Sequence, residues 1–236
     1  MRFTINALPK LLAVAAALVG MLFLPIAVRA ESPVSRTGHT ESVATYNVLA
    51  DTPTGRTDRI VVAGGHLDGV ADGAGIQDNG SGTATLLEVA LQMADLNIRP
   101  RNMVRFAFWS GEEDGLIGSQ FYVDQLSARD VRRHAVNLNF DMIASPNFGR
   151  FIYDGDGSNS DAAGPNGSDI VEDVFEAYFA GQGLATLPTA FDGRSDYGPF
   201  MDRGIPAGGL FTGAEDLKTA AEADEVLTHK YLEGHE

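Results

Sequence analysis

"RIVVAGGHLDGVADGAGIQDNGSGTATLLEVALQMADL", residues 59–96, sets two unlike patterns on either side of a glycine-rich loop. Residues 59–65 carry a short continuous apolar run of the kind found in a strand buried on both faces. Residues 81–96 place Leu86, Leu87, Ala90, Leu91 and Ala94 at helical spacing, with Asn79 or Ser81 available as N-cap. Between them, Gly64–Gly82 holds one His, three Asp and seven Gly. By composition alone that is a surface turn. The alternative is that His66, Asp68 and Asp78 belong to a metal site, and the rest of the chain decides between the two.

The alternation of strand and helix continues. "VATYNVLAD" (43–51) alternates, "NMVRFAFWS" (102–110) is β-branched and aromatic, and a helix is expected over 117–127. "AVNLNFDMI" (135–143), "GRFIYD" (149–154) and "IPAGGLF" (205–211) read as strands. Ser168 is expected to cap a helix in which Ile170, Val171, Val174, Phe175, Tyr178 and Phe179 form one apolar stripe. This order predicts an α/β fold, a mostly parallel mixed sheet flanked by helices on both faces. Such sheets gather ligands at the carboxyl ends of their strands. His66 and Asp68 follow one strand, Glu112 and Glu113 a second, and Asp141 ends a third, so three strand ends deliver imidazole and carboxylate groups to one edge.

Outside this region the chain sets its own bounds. Its 236 residues suit one domain. Residues 1–30 begin with Arg2 and Lys10, run through eighteen apolar residues and end in "AVRA", which reads as a secretory signal peptide cleaved near Ala30. An uncleaved membrane anchor is the alternative. Residues 31–42 read as a polar linker and 43–236 as the folded domain. Removing the leader leaves 14 Lys and Arg against 32 Asp and Glu, a formal charge of −18. That charge argues against nucleic acid and against docking on anionic membranes. There is no cysteine, so any metal must be held by His and carboxylates, a set that suits zinc, cobalt or manganese. The acidic loop at 154–169 lacks the glycine and glutamate that a calcium loop needs, and reads as solvated. His39 and His134 read as surface residues, and Asp72 as a solvated acid.

Each acidic residue has a plain reading beside the chemical one. Asp78 precedes a helix and could simply cap it. "EED" (112–114) could be a charged turn. As chemistry, one of two adjacent glutamates can bind a metal while the other takes a proton from water. Asp68, two residues from His66 in extended chain, could accept the second ring N–H and fix the tautomer.

The motifs "GGHLDGV", "GIQDNGSGTATLLEVA", "RFAFWSGEEDGLIGS", "LNFDMIASPN" and "GRSDYGPFMDRGIPAGGLFTGAE", in this order, closely resemble secreted bacterial di-zinc aminopeptidases of the M28 metallopeptidase family. The resemblance runs from about Val43 to about Ala221. It implies that His66 and Asp141 bind one zinc and Glu113 the second, with Asp78 bridging. Glu112 would be the general base and Asp68 would orient His66. It also implies a cis peptide at Asp78–Asn79. The family's reaction removes one residue, often large and apolar, from a peptide's free amino end. Glu112 and Asp141 would hold the substrate's ammonium, and Arg194, Ser195 and Asp196 would contribute to the pocket wall. The second zinc of the family takes a His beside a Tyr from a segment that does not occur here; His229 or His235 could substitute and Tyr231 could stand in for the Tyr, although a terminal His is usually solvated. The family's C-terminal helix is likewise expected to be missing, the chain departing from the pattern after about residue 222. The resulting expectation is a monomeric, secreted zinc aminopeptidase acting on peptides with free N-termini. The rivals are a non-catalytic zinc- and peptide-binding homologue and a single-zinc glutaminyl cyclase-like enzyme.

Overall fold

A computed structural model describes residues 25–36, 39–160, 162–214, 217–220 and 222–223. Eight strands, β1 (Pro25–Arg36), β2 (His39–Asp51), β3 (Arg56–His66), β4 (Asn102–Trp109), β5 (His134–Phe140), β6 (Phe151–Tyr153), β7 (Leu187–Thr189) and β8 (Ala207–Phe211), form one sheet in the order β1-β2-β4-β3-β5-β8-β6-β7. The central run β4-β3-β5-β8 is parallel, and β1, β2 and the β6–β8 pair bring the antiparallel contacts.

The helices are α1 (Gly80–Asp95), α2 (Ile117–Asp124), α3 (Ala128–Arg133), α4 (Ser168–Gly181) and α5 (Gly198–Asp202). On one face, Leu86 and Ala90 of α1 pack against Ala63, Phe106 and Phe108, and α4 joins that face through Phe175 against Phe140. On the other, Tyr122 and Val123 of α2 and Phe200 of α5 pack around Val62, Ala107 and Trp109, with Val131 of α3 against them. The expected three-layer α/β arrangement is present. Its chain path places β3 between β4 and β5, so the ends of these three strands are neighbours.

Several expectations need correction. Residues 31–36 and 39–42, read as linker, lie in β1 and β2. Pairing at a sheet edge uses backbone groups, so polar residues can form it. The expected cleavage point after Ala30 falls inside β1, and residues 1–24 lie outside the described residues. The helix expected over 117–127 ends at Asp124, and α3 follows it, capped by Ser127. Ser168 does not cap α4. Gly167 takes that position, and the Ser168 hydroxyl accepts the Ala207 N–H at 3.0 Å. The α4 stripe is split: Phe175 meets the sheet, while Ile170, Val174 and Tyr178 are exposed. The 154–169 loop is not wholly solvated, because Asp154 is buried and accepts the N–H groups of Ser158 and Asn159 at 3.1 and 2.9 Å.

His134, read as a surface residue, is buried at the start of β5. Arg105 gives two hydrogen bonds to Asp51, at 2.7 and 2.6 Å, and one to the Tyr122 hydroxyl at 2.8 Å. The hydroxyl therefore donates to His134 Nε2 at 2.7 Å, and His134 Nδ1–H donates to the Asp130 carbonyl at 2.7 Å. Every proton in this chain has one place, and the imidazole is neutral. Burial, with Arg105 and Arg133 adding repulsion, lowers the His134 pKa. Unfolded chains therefore bind a proton here that folded ones do not, so this stabilisation is complete above the ordinary value of 6.5 and is lost as pH falls below it. Urea unfolding of the metal-loaded protein should show midpoints that fall between pH 7.5 and pH 5. The slope should be shallower in His134→Gln, and equal slopes would contradict the assignment.

Candidate metal centre

His66 ends β3, and its neighbours hold it in one orientation. Its ring is buried, and Nδ1 lies 3.1 Å from the Asp68 carbonyl oxygen. A carbonyl only accepts, so Nδ1 carries the proton and Nε2 faces Asp78 Oδ1 at 3.0 Å and Asp141 Oδ1 at 3.1 Å. The group beside Nδ1 is thus the Asp68 main chain, where the Asp68 carboxylate had been expected. Its carboxylate Oδ1 is 3.8 Å from Nδ1 and serves another purpose. Oδ1 and Oδ2 accept the N–H groups of Glu112 and Glu113 at 3.1 and 3.2 Å. These bonds and His66 outweigh burial and keep the Asp68 pKa below the usual carboxylate value.

Asp78 and Asp141 meet because Asn79 joins their elements. Asn79 caps α1 by accepting the Gly82 N–H at 2.9 Å, accepts the Met142 N–H at 3.2 Å and donates to the Phe140 carbonyl at 2.9 Å. Ser81, the other candidate cap, accepts the Ile143 N–H instead, at 3.0 Å. The approach is so close that a Cβ on Gly82 would run into the Phe140 carbonyl and the Asn79 side chain. The Asp78–Asn79 peptide is cis, as the resemblance implied. Met142 turns the chain just after Asp141 with φ 51°.

Two groups of side chains result, His66 with Asp78 and Asp141, and His66 with Glu112 and Glu113, each with ligand atoms within 4.8 Å of one another. Asp78 and Glu113 also repel, which together with burial raises the Glu113 pKa. Burial, reinforced by Asp196, Asp141 and Glu113 and opposed by His66, pushes Glu112 up to about 8. Burial alone would lower the His66 pKa, but the negative charges of Asp141, Asp68 and Asp78 around it overcome that and keep the metal-free ring cationic, its pKa well above the ordinary value. Glu113 Oε1 is buried with no hydrogen-bond partner. A buried acceptor without a donor, among carboxylates gathered on one imidazole, fits a divalent cation of the zinc type.

Asp78, Glu112, Glu113 and Asp141 line a cavity of about 340 Å³, with Met142, Tyr153, Phe211, Arg194 and Ser195. A further groove of about 650 Å³ continues past Met142, Thr189 and Arg194. Ser195 has a defined role in the wall: its hydroxyl donates to Asp141 Oδ2 at 2.7 Å and accepts from Asn139 Nδ2 at 2.8 Å. Asp196, expected in the wall, is fully buried behind it, and burial lifts its pKa to about 7. Asp72 is exposed. His229, Tyr231 and His235 lie outside the described residues. Sequence reasoning missed Asn79 as the link to β5. Ser195→Ala should weaken zinc binding about 10- to 100-fold, the usual cost of losing a bond to a ligand's outer oxygen. Chelator competition would measure this, and unchanged affinity would show that Asp141 needs no such support.

Comparison with known proteins places the chain in a family. The chain is 50% identical over 183 residues to leucine aminopeptidase 2 of Arthroderma otae, covering 78% of this chain and 37% of that protein. It is 51% identical over 181 residues to an aminopeptidase of Pseudomonas aeruginosa, covering 77% and 33%. It thus spans about a third of the length of these curated relatives. Among solved structures, an aminopeptidase from Aneurinibacillus sp. strain AM-1 superposes with a TM-score of 0.65 at 26% identity, covering 80% of this chain and 45% of that one. A glutaminyl cyclase from an Acidobacteriales bacterium shares the fold, with a TM-score of 0.66 at 18% identity, covering 92% and 74%. The model of peptidase family M28 matches residues 47–231, a span that contains every residue of the centre just described, and the chain belongs to that family.

Proposed function

We propose that this chain is a zinc-dependent aminopeptidase that removes the first residue from peptides with a free amino end. The observation that carries the reading is the convergence of Asp78, Asp141, Glu112 and Glu113 on the buried His66 ring, with all four carboxylates lining one cavity. His66, Asp78 and Asp141 would hold one zinc, and Asp78 with Glu113 a second, completed by His229 or His235. Zinc in such a centre supplies a Lewis acid that polarises a carbonyl and lets water react at neutral pH.

This chain's own residues then divide the work. Any cation among these carboxylates favours the ionised form of Glu112, whose metal-free pKa of about 8 would otherwise keep it protonated. Ionised Glu112 takes a proton from the attacking water and returns it to the leaving amine. Carboxylate oxygens of Glu112 and Asp141 attract the substrate's ammonium. Met142, Tyr153 and Phe211 give the cavity an apolar side, which supports a large apolar first residue. The basic start, apolar run and "AVRA" ending of residues 1–30 support export of the protein. Release of p-nitroaniline from leucine p-nitroanilide by the zinc-loaded protein, stopped by a chelator and restored by zinc, tests the reading. Zinc binding without release would assign the chain to a non-catalytic binding role, and cyclisation of an N-terminal glutamine would assign it to the cyclase class.

A further inference from the structure

The base and the Glu113 ligand sit on one short loop segment, Ser110–Gly118, that runs from the end of β4 into the first turn of α2. Three residues in it have positive φ, Gly111 at 71°, Gly115 at 107° and Leu116 at 59°. Its own backbone bonds, Gly115 N–H and Leu116 N–H to the Glu112 carbonyl at 2.8 Å each and Ile117 N–H to the Gly111 carbonyl at 2.9 Å, close the turn but do not anchor it to the sheet. The Asp68 carboxylate holds its middle, by the two N–H groups already described.

Its ends are held from the other side by a residue of β2 that is remote from the centre in sequence. Asn47 is fully buried, and each end of its amide has one partner. Nδ2 donates to the Gly118 carbonyl at 2.8 Å, and Oδ1 accepts the Ser110 N–H at 3.1 Å. One rigid amide thus spans the start and finish of the loop. Gly118 is shaped to this contact, since a Cβ there would strike Asn47 Oδ1 and lie 2.5 Å from the Ser110 carbonyl oxygen. Thr45, two residues earlier on the same strand face, touches Ser110 through their hydroxyls. The loop is accordingly gripped between β2 at its ends and the β3 loop at its middle.

We propose that Asn47 is a positioning residue of the reaction, setting Glu112 and Glu113 against the β3 and β5 residues by clamping the ends of their loop. The inference rests on the aminopeptidase reading for its kinetic consequence, and on the fold alone for its mechanical one. A shift of one ångström in a base or ligand is enough to cost on the order of a hundredfold in rate. Loss of the clamp should therefore appear in kcat, because the cavity that binds the first residue is built largely from other loops.

The test compares native protein, Asn47→Ala and Asn47→Asp, which keeps the acceptor for Ser110 N–H and loses the donor to Gly118. All are zinc-loaded and assayed with leucine p-nitroanilide, with kcat expressed per folded molecule. Hydrogen exchange of the peptide covering residues 110–118 is followed beside one from α1. Asn47→Ala should lower kcat at least tenfold with KM within about twofold of native, and loop exchange should rise at least tenfold while α1 is unchanged. Asn47→Asp should fall between. A lower melting temperature with native kcat and native loop exchange would overturn the proposal, leaving Asn47 a packing residue only. If the native protein releases no product, the functional reading fails, while loop exchange still decides the clamp.

Discussion

Glu112→Gln is expected to lower kcat for leucine p-nitroanilide by about 10²–10⁴-fold, the range supplied by a positioned general base, while zinc content and melting temperature stay at native values. The substitution keeps the shape of the side chain and removes its ability to take a proton. Two features support the separation of rate from metal content. Glu112 is held by its main chain, through the Asp68 carboxylate at 3.1 Å, so its loop does not depend on the side chain that changes. The orphaned buried oxygen of the pair belongs to Glu113, which fits the proposed metal-facing part of the second glutamate. Loss of zinc in Glu112→Gln would reverse that division. Activity that survived unchanged would remove Glu112 from the reaction altogether.

His66→Ala is the second large effect, and its signature is in metal and protons. It should weaken zinc binding by more than the roughly 100-fold seen for outer partners of ligands and reduce activity to background. In metal-free native protein the ring is cationic, because Asp141, Asp68 and Asp78 surround it. Its folded pKa is raised, so its stabilising charge is fully present below the ordinary value of 6.5 and is lost only as pH rises toward the folded value, which lies well above neutrality. A zinc ligand must be deprotonated, so zinc uptake at neutral pH should release about one proton from this residue. Calorimetric titration of Glu112→Gln, which has no Glu112 proton to add, in two buffers of different ionisation heat measures that number. His66→Ala should show neither the tight binding nor the release, and release that persisted in the variant would place the proton elsewhere.

Much of this centre could be read from residue types because their positions relative to strand ends are a matter of sequence alone. His66 at the end of an apolar run, Glu112 and Glu113 after an aromatic one, and Asp141 after an alternating one all reach the same edge once the strands lie parallel. What could not be read depends on which distant groups arrive beside a residue. The Asp68 carboxylate serves Glu112 and Glu113 because the end of β4 lies against the β3 loop, which no local spacing reports. His134 looked exposed in a charged stretch, yet Tyr122 and the Asp130 carbonyl cover both ring nitrogens. Asp196 is adjacent to a wall residue but points behind it. β7 has three residues, too few for any periodicity. The polar hairpin at the start escaped because edge pairing leaves no apolar pattern.

The link made by Asn79 between α1 and the end of β5 also bears on the order in which the molecule assembles. Asp78 and Asp141 are 63 positions apart in sequence, and they reach His66 together only when β5 has docked beside β3. Contacts of such separation close late on a folding route, since loop entropy opposes them until neighbouring strands are in place. Tight zinc capture during refolding should therefore lag behind the gain of helix signal and coincide with completion of the parallel sheet, making the ion a timer for the last step of assembly.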